Sequence, residues 1–248
     1  MKKKQTEWYK KPAALVSLMC VWVFSSVIAA QLVMAKLMIL ILGTETAQQP
    51  VWIAVYSALS YVVAMALIIL VPPRIAKKWG VSRKGLGLND LPTWTDIGLA
   101  PVAFIVSLML AAGLVALFSL FPWFDASQKQ ELGFSVFIVG WDRIIAFITL
   151  VVVAPIAEEV IFRGWLYGKI REVLTDKVSE KVAIIISILI VSVLFGLVHL
   201  QWNVGVNVFA LSVVLCGLRE ITGTIYAGIL THMLKNGVAF YLLYVIGI

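Results

Sequence analysis

Residues 141–167 read WDRIIAFITLVVVAPIAEEVIFRGWLY, an apolar run that holds two carboxylates and an arginine well inside it. After Asp142 and Arg143 near its start, no charge appears until Glu158 and Glu159, and Arg163 follows four residues later. A helix needs about 20 residues to cross the hydrocarbon core of a bilayer, so this run is long enough to span one. Outward from it, in both directions, the chain repeats the pattern. Six further apolar stretches occur, at residues 13–42, 51–71, 97–121, 182–199, 204–217 and 222–246. The expected fold is all-α: a polytopic transmembrane helical bundle of about seven spans, one of them short.

Composition points the same way. Hydrophobic residues make up 62% of the chain, against roughly 45–50% in soluble globular domains. Only 13% of residues are charged, so lipid must be the solvent for much of the surface. A net charge of +7 would suit nucleic acid, but the basic residues fall in short clusters between apolar runs. No basic stripe interleaved with aromatics runs along any segment, which argues against nucleic acid as a partner. Cys20 and Cys216 each sit alone in an apolar stretch, so neither a disulfide framework nor a thiolate metal site is expected. The lysines before the first span resemble a secretory signal, but the apolar run is about twice the usual length. It reads as a retained span. No internal repeat divides the chain, which reads as a single membrane domain, with N-terminal spans at 1–134 and the chemistry at 135–248.

Charge sets the expected orientation. The tail before residue 12, the 72–96 connection, residues 169–181 and Arg219 hold 15 of the 20 Lys and Arg residues. On the other side only Lys129 lies outside a span. Positive-inside bias therefore puts the N-terminus in the cytoplasm and the C-terminus outside. Trp52, Trp123 and Trp141 fall at outer span ends and Trp165 at an inner one, where interfacial tryptophans are expected. The sixth stretch, 204–217, rises only about 21 Å as a helix, too short to cross. Its upper end, and the turn at 201–205, would then lie inside the membrane, against protein or a cavity.

Ionisable groups inside a span are costly, so each is a candidate for function. Glu159 and Arg163 stand four apart on one helical face, in reach of an ion pair. Glu158 is rotated about 100° away and finds no partner on its own helix. One carboxylate reads as structural, the other as free. The only two histidines, His199 and His232, both lie in apolar segments, and Asn236 follows His232 by one turn. Counting helical rise, Glu158, His199 and His232 fall about 16–24 Å from the cytoplasmic boundary, so all three can meet near the midplane. The plainer readings stand beside this one. A lone membrane histidine often only bonds a neighbouring helix, Lys36 reads as snorkelling to the surface, and Lys235 either snorkels or answers a carboxylate.

In order along the chain stand Glu158-Glu159-x-x-x-Arg163, Phe195-x-x-x-His199 and His232-x-x-x-Asn236. This ordered set resembles the CPBP family, which contains the glutamate-type CAAX prenyl endopeptidases and bacterial abortive-infectivity and bacteriocin-processing relatives. The resemblance covers about residue 141 to the C-terminus, with Gly85-Leu86-Gly87-Leu88 a weaker echo upstream. It implies an intramembrane endopeptidase of a bacterial cell membrane that takes peptide or protein substrates. Glu158 and His199 would activate a water, His232 and Asn236 would donate to the oxyanion, and Glu159, Arg163 and Phe195 would orient them. No cofactor is implied. Two His and two Glu are also a donor set for a divalent metal, although zinc peptidases place ligands at tighter spacing. Two other classes compete: a non-proteolytic scaffold or bacteriocin-immunity protein with the same fold, and a proton-coupled transporter, which would favour repeated halves.

Overall fold

The computed structural model describes residues 11–75, 77–126 and 139–247, apart from the side chain of residue 78. Lys2, Lys3, Lys4, Lys10 and Lys129 lie outside the described residues, so their part in the orientation argument rests on sequence alone. Among the described residues, seven helices are long and apolar enough to cross a membrane. They are α1 (Pro12–Leu42), α2 (Pro50–Ile75), α3 (Trp94–Phe118), α4 (Gly140–Thr175), α5 (Glu180–Leu197), α6 (Trp202–Thr222) and α7 (Tyr226–Ile246). Among the described residues there is no β-strand. The all-α bundle follows from the sequence.

Local chemistry sets the helix ends. Pro12 and Pro50 open α1 and α2, where a missing N–H would have had no intrahelical partner anyway. Thr93 and Asp96 cap each other's backbone N–H groups, and this capping box starts α3 at Trp94 rather than at residue 97. Large apolar side chains such as Leu32 (59% exposed), Val102 (57%) and Met109 (71%) point out of the bundle. That is the pattern of a lipid-facing surface. The inward face of α3 carries Ala100, Ala103, Ser107 and Ala111, small residues at helical spacing that let α6 and α7 approach closely.

Helix α4 runs 36 residues, well beyond residue 167, and is not regular. Turns of π-helix occupy Ile148–Val153 and Val160–Leu166, on either side of the segment that carries the two glutamates. Pro155 cannot donate to the preceding turn, so the backbone pattern widens just before it. Such widened turns are often found at functional sites.

Two expectations are corrected here. The sixth span is not short: α6 has 21 residues and ends at Gly223, whose φ of +71° caps it. The apolar stretch read from the sequence ends at residue 217, just before Arg219, because charge marks a boundary. In the fold, however, Glu220 accepts a hydrogen bond from the Tyr167 hydroxyl and pairs with Arg171, so the helix carries those charges onward. The connection before α6 is residues 198–201, not 201–205, and its surface is not enclosed. Leu200, at φ +57°, is 81% exposed and Trp202 is 68% exposed. Trp165 is likewise no interfacial anchor, being fully buried in the core.

The Gly85-Leu86-Gly87 segment packs against the middle of α4. A Cβ added at Gly164 would lie 3.1 Å from the Leu86 carbonyl oxygen, so a larger residue there would push the segment away by a few tenths of an ångström. Gly87, at φ +74°, lies beneath the Arg219 guanidinium, which donates to the Gly85 and Gly223 carbonyls. This strap, with buried Ile68, Trp165 and Leu166, closes the bundle on the side of the basic connections.

Candidate active site

Helix α4 sets the site by presenting consecutive carboxylates to opposite sides of one imidazole. Glu159 Oε1 accepts from Arg163 Nη1 at 2.9 Å, the ion pair expected from the spacing, with both side chains fully buried. The same oxygen lies 3.0 Å from His232 Nδ1. A carboxylate paired with arginine accepts, so Nδ1 is the donor there and Glu159 fixes the orientation of the ring. Nε2 then points the other way, 3.7 Å from Glu158 Oε2. Glu159 is thus both a structural partner and a positioning group. Gly228, one turn before His232, lies against its other oxygen: a Cβ there would be 3.1 Å from Oε2.

Glu158 is not free, contrary to the sequence reading. Its Oε1 accepts a hydrogen bond of 2.8 Å from the Tyr61 hydroxyl of α2. Nothing on α4 could have disclosed that contact, because the donor comes from a helix 97 residues earlier in the chain. The only signal was a tyrosine about eleven residues into a span that also holds Tyr56, Ser57 and Ser60. Tyr61→Phe removes this donor without changing packing. A hydrogen bond to a charged group contributes about 1.5–3 kcal/mol, so losing it should lower kcat about tenfold or more. Unchanged turnover of the reaction that the site performs would show that Tyr61 does not hold Glu158 for chemistry.

His199 sits in the connection after α5. Its Nδ1 is 2.8 Å from the Phe195 carbonyl. A carbonyl only accepts, so Nδ1 carries the proton and Nε2 keeps the lone pair. Burial lowers the His199 pKa from its ordinary value, while the Glu158 carboxylate opposes that shift. Phe195 itself is a hub: its ring lies 4.3 Å below the Arg163 guanidinium, 4.9 Å from Phe162, 5.1 Å from His199 and 5.9 Å from His232. A cation over an aromatic face is attracted to it, so Phe195 secures the buried guanidinium that in turn secures Glu159. Asn236 donates its amide to the Leu150 carbonyl at 2.9 Å, which orients the side chain against α4.

Glu158, His199, His232 and Asn236 all line one cavity of about 510 Å³, within the roughly 300–1,000 Å³ usual for ligand sites. Glu159 and Arg163 lie behind its wall. The sequence motifs from three separate segments are therefore brought to one place, as expected. Tyr61 and Lys235 join that lining and were not assigned to the site from the sequence. Among the described residues, no three His, Cys, Asp or Glu side chains are grouped so as to hold a metal ion.

No curated protein and no solved structure matches the chain. A family model does. Type II CAAX prenyl endopeptidase Rce1-like matches residues 139–238, a stretch that begins just before α4 and contains all three motifs and every cavity residue drawn from them. Over residues 139–238, this bundle of apolar helices is thus similar to the Rce1-like type II CAAX prenyl endopeptidases.

Proposed function

We propose that the chain is an intramembrane endopeptidase in which Glu158 and His199 activate a water for attack on a peptide carbonyl. The observation that carries this reading is the shared cavity of Glu158, His199, His232 and Asn236. His199 offers Nε2 to a water because Nδ1 is already committed. The water oxygen forms a bond to the carbonyl carbon while one of its protons passes to the Glu158–His199 pair. The tetrahedral oxyanion then accepts from Asn236 and, when His232 carries both protons, from His232 Nε2–H. Buried donors aimed at developing charge are worth far more there than in water. The C–N bond breaks as the proton held by the pair moves to the leaving amine. No metal takes part in this scheme.

The same arrangement supports a peptide or protein substrate without identifying it. Peptides that accumulate in membranes of cells carrying Glu158→Ala, relative to the parent, are the expected substrates. Purified parent protein should cut each of them in the presence of EDTA. Sensitivity to the chelator would replace the metal-free scheme. Failure of the purified parent to cut any accumulated peptide would favour a non-proteolytic scaffold of the same fold.

A further inference from the structure

Among the described residues, Lys235 is the one lysine or arginine in the cavity wall, and the water-activation scheme leaves it unused. It lies on α7, one turn past His232 and beside Asn236, and lines the same cavity as both. Its depth rules out the plainer reading that it snorkels to a membrane surface. Lys235 stands nine residues after the start of α7 and eleven before its end, which is about 14 Å and 16 Å of helix. A four-carbon stem does not reach that far.

The other plain reading, that Lys235 answers a carboxylate of the protein, fails on contact. Glu158 is the one carboxylate in that wall among the described residues. Its Oε1 accepts from the Tyr61 hydroxyl, and its Oε2 faces His232 Nε2 at 3.7 Å. Lys235 makes no hydrogen bond or ion pair with any described residue, and its charge reaches Glu158 and His199 only across the cavity. An ammonium held at this depth without a contact partner is costly, which marks it for a binding role. Its three N–H donors are left for whatever occupies the cavity.

We propose that Lys235 is a specificity residue of the site, taking up a carboxylate of the bound polypeptide one or two residues from the scissile carbonyl. The proposal deepens the peptidase reading and rests on it for where that carbonyl sits, against His232 and Asn236. Side chains three apart on a helix have Cβ atoms about 5–6 Å from each other. An extended polypeptide advances about 3.3 Å per residue, so a carboxylate one or two residues from the carbonyl comes within reach of the ammonium. That carboxylate belongs either to an Asp or Glu side chain or to the end of the peptide. A charge-assisted hydrogen bond serves both.

The test is peptide selection on the purified full-length chain in detergent, held on a resin, with retained peptides read by mass spectrometry. The protein carries His199→Ala, which stops the proposed water activation but keeps Glu158 and Lys235. One randomised peptide library has both ends blocked; a second lacks Asp and Glu and mixes free with amidated C-termini. Peptides with Asp or Glu in the first library, or with a free end in the second, should be enriched about tenfold or more. The first result assigns a side chain, the second a chain end. Lys235→Met should abolish the enrichment, Lys235→Arg should keep it, and Lys235→Glu should favour Lys and Arg peptides instead. Enrichment that survives Lys235→Met overturns the proposal, as does the absence of enrichment, or of any retained peptide, with Lys235 in place. Lys235→Met strands no contact partner, so its melting temperature should match that of the parent; a lower one would make Lys235 a support of the fold and overturn the proposal. Retention needs no bond cleavage. Protein with His199 restored that enriches acidic peptides and cuts none would refute the peptidase reading while leaving the carboxylate site standing.

Discussion

Glu158→Gln should leave the helical bundle intact and lower peptide cleavage by about 10²–10⁴-fold, the usual cost of losing a general base. The substitution keeps side-chain volume and keeps an oxygen to accept from Tyr61, whose hydroxyl lies 2.8 Å from the carboxylate. It removes the negative charge and with it the capacity to take a proton. Melting temperature in detergent should therefore stay near that of the parent while turnover collapses. Near-parental cleavage by this variant would mean that another group is the base. A lower melting temperature together with lower turnover would mean that Glu158 mainly supports the fold.

The neighbouring carboxylate should behave in the opposite way. Glu159→Gln leaves the Arg163 guanidinium buried and uncompensated, and breaking a buried pair costs about 3–5 kcal/mol. The loss should be unusually complete here, because Glu159 Oε1 serves both Arg163 and His232. Reduced thermal stability should come first, with reduced activity following from a loosened His232. The double variant Glu159→Gln/Arg163→Met should recover part of the stability, since no lone charge remains to be buried. If instead the double variant is destabilised by the sum of the two single changes, the pair is not coupled and the structural role assigned to Glu159 fails. Side by side, the two glutamine variants separate chemistry from architecture one residue apart.

Much of this was legible in the sequence because helical periodicity is a local rule. Four-residue spacing pairs Glu159 with Arg163 whatever surrounds them, and the 100° step moves Glu158 off that face. The ordered motifs on α4, at the end of α5 and on α7 foretold which side chains would meet, and the cavity brings Glu158, His199, His232 and Asn236 together. The number of spans followed from length and hydropathy, since a helix must satisfy its backbone within itself to sit in lipid.

Other features depended on partners that no spacing rule supplies. The sixth helix continues through Arg219 and Glu220 because Tyr167, Arg171 and the Gly85 carbonyl answer those charges from distant segments. Hydropathy alone ends a span where charge begins. Tyr61 reaches Glu158 only because α2 packs against α4, and that choice of neighbours is set by side-chain packing across the whole bundle. The imidazole of His232 is held between two carboxylates for the same reason. Sequence by itself determined the spanning helices and pointed to the side chains that line the cavity together. Tertiary packing decided which helix supplies the second partner of each buried charge and which side chains of other helices complete the cavity. Both are sums over contacts between segments far apart in the chain, and local periodicity carries no record of them.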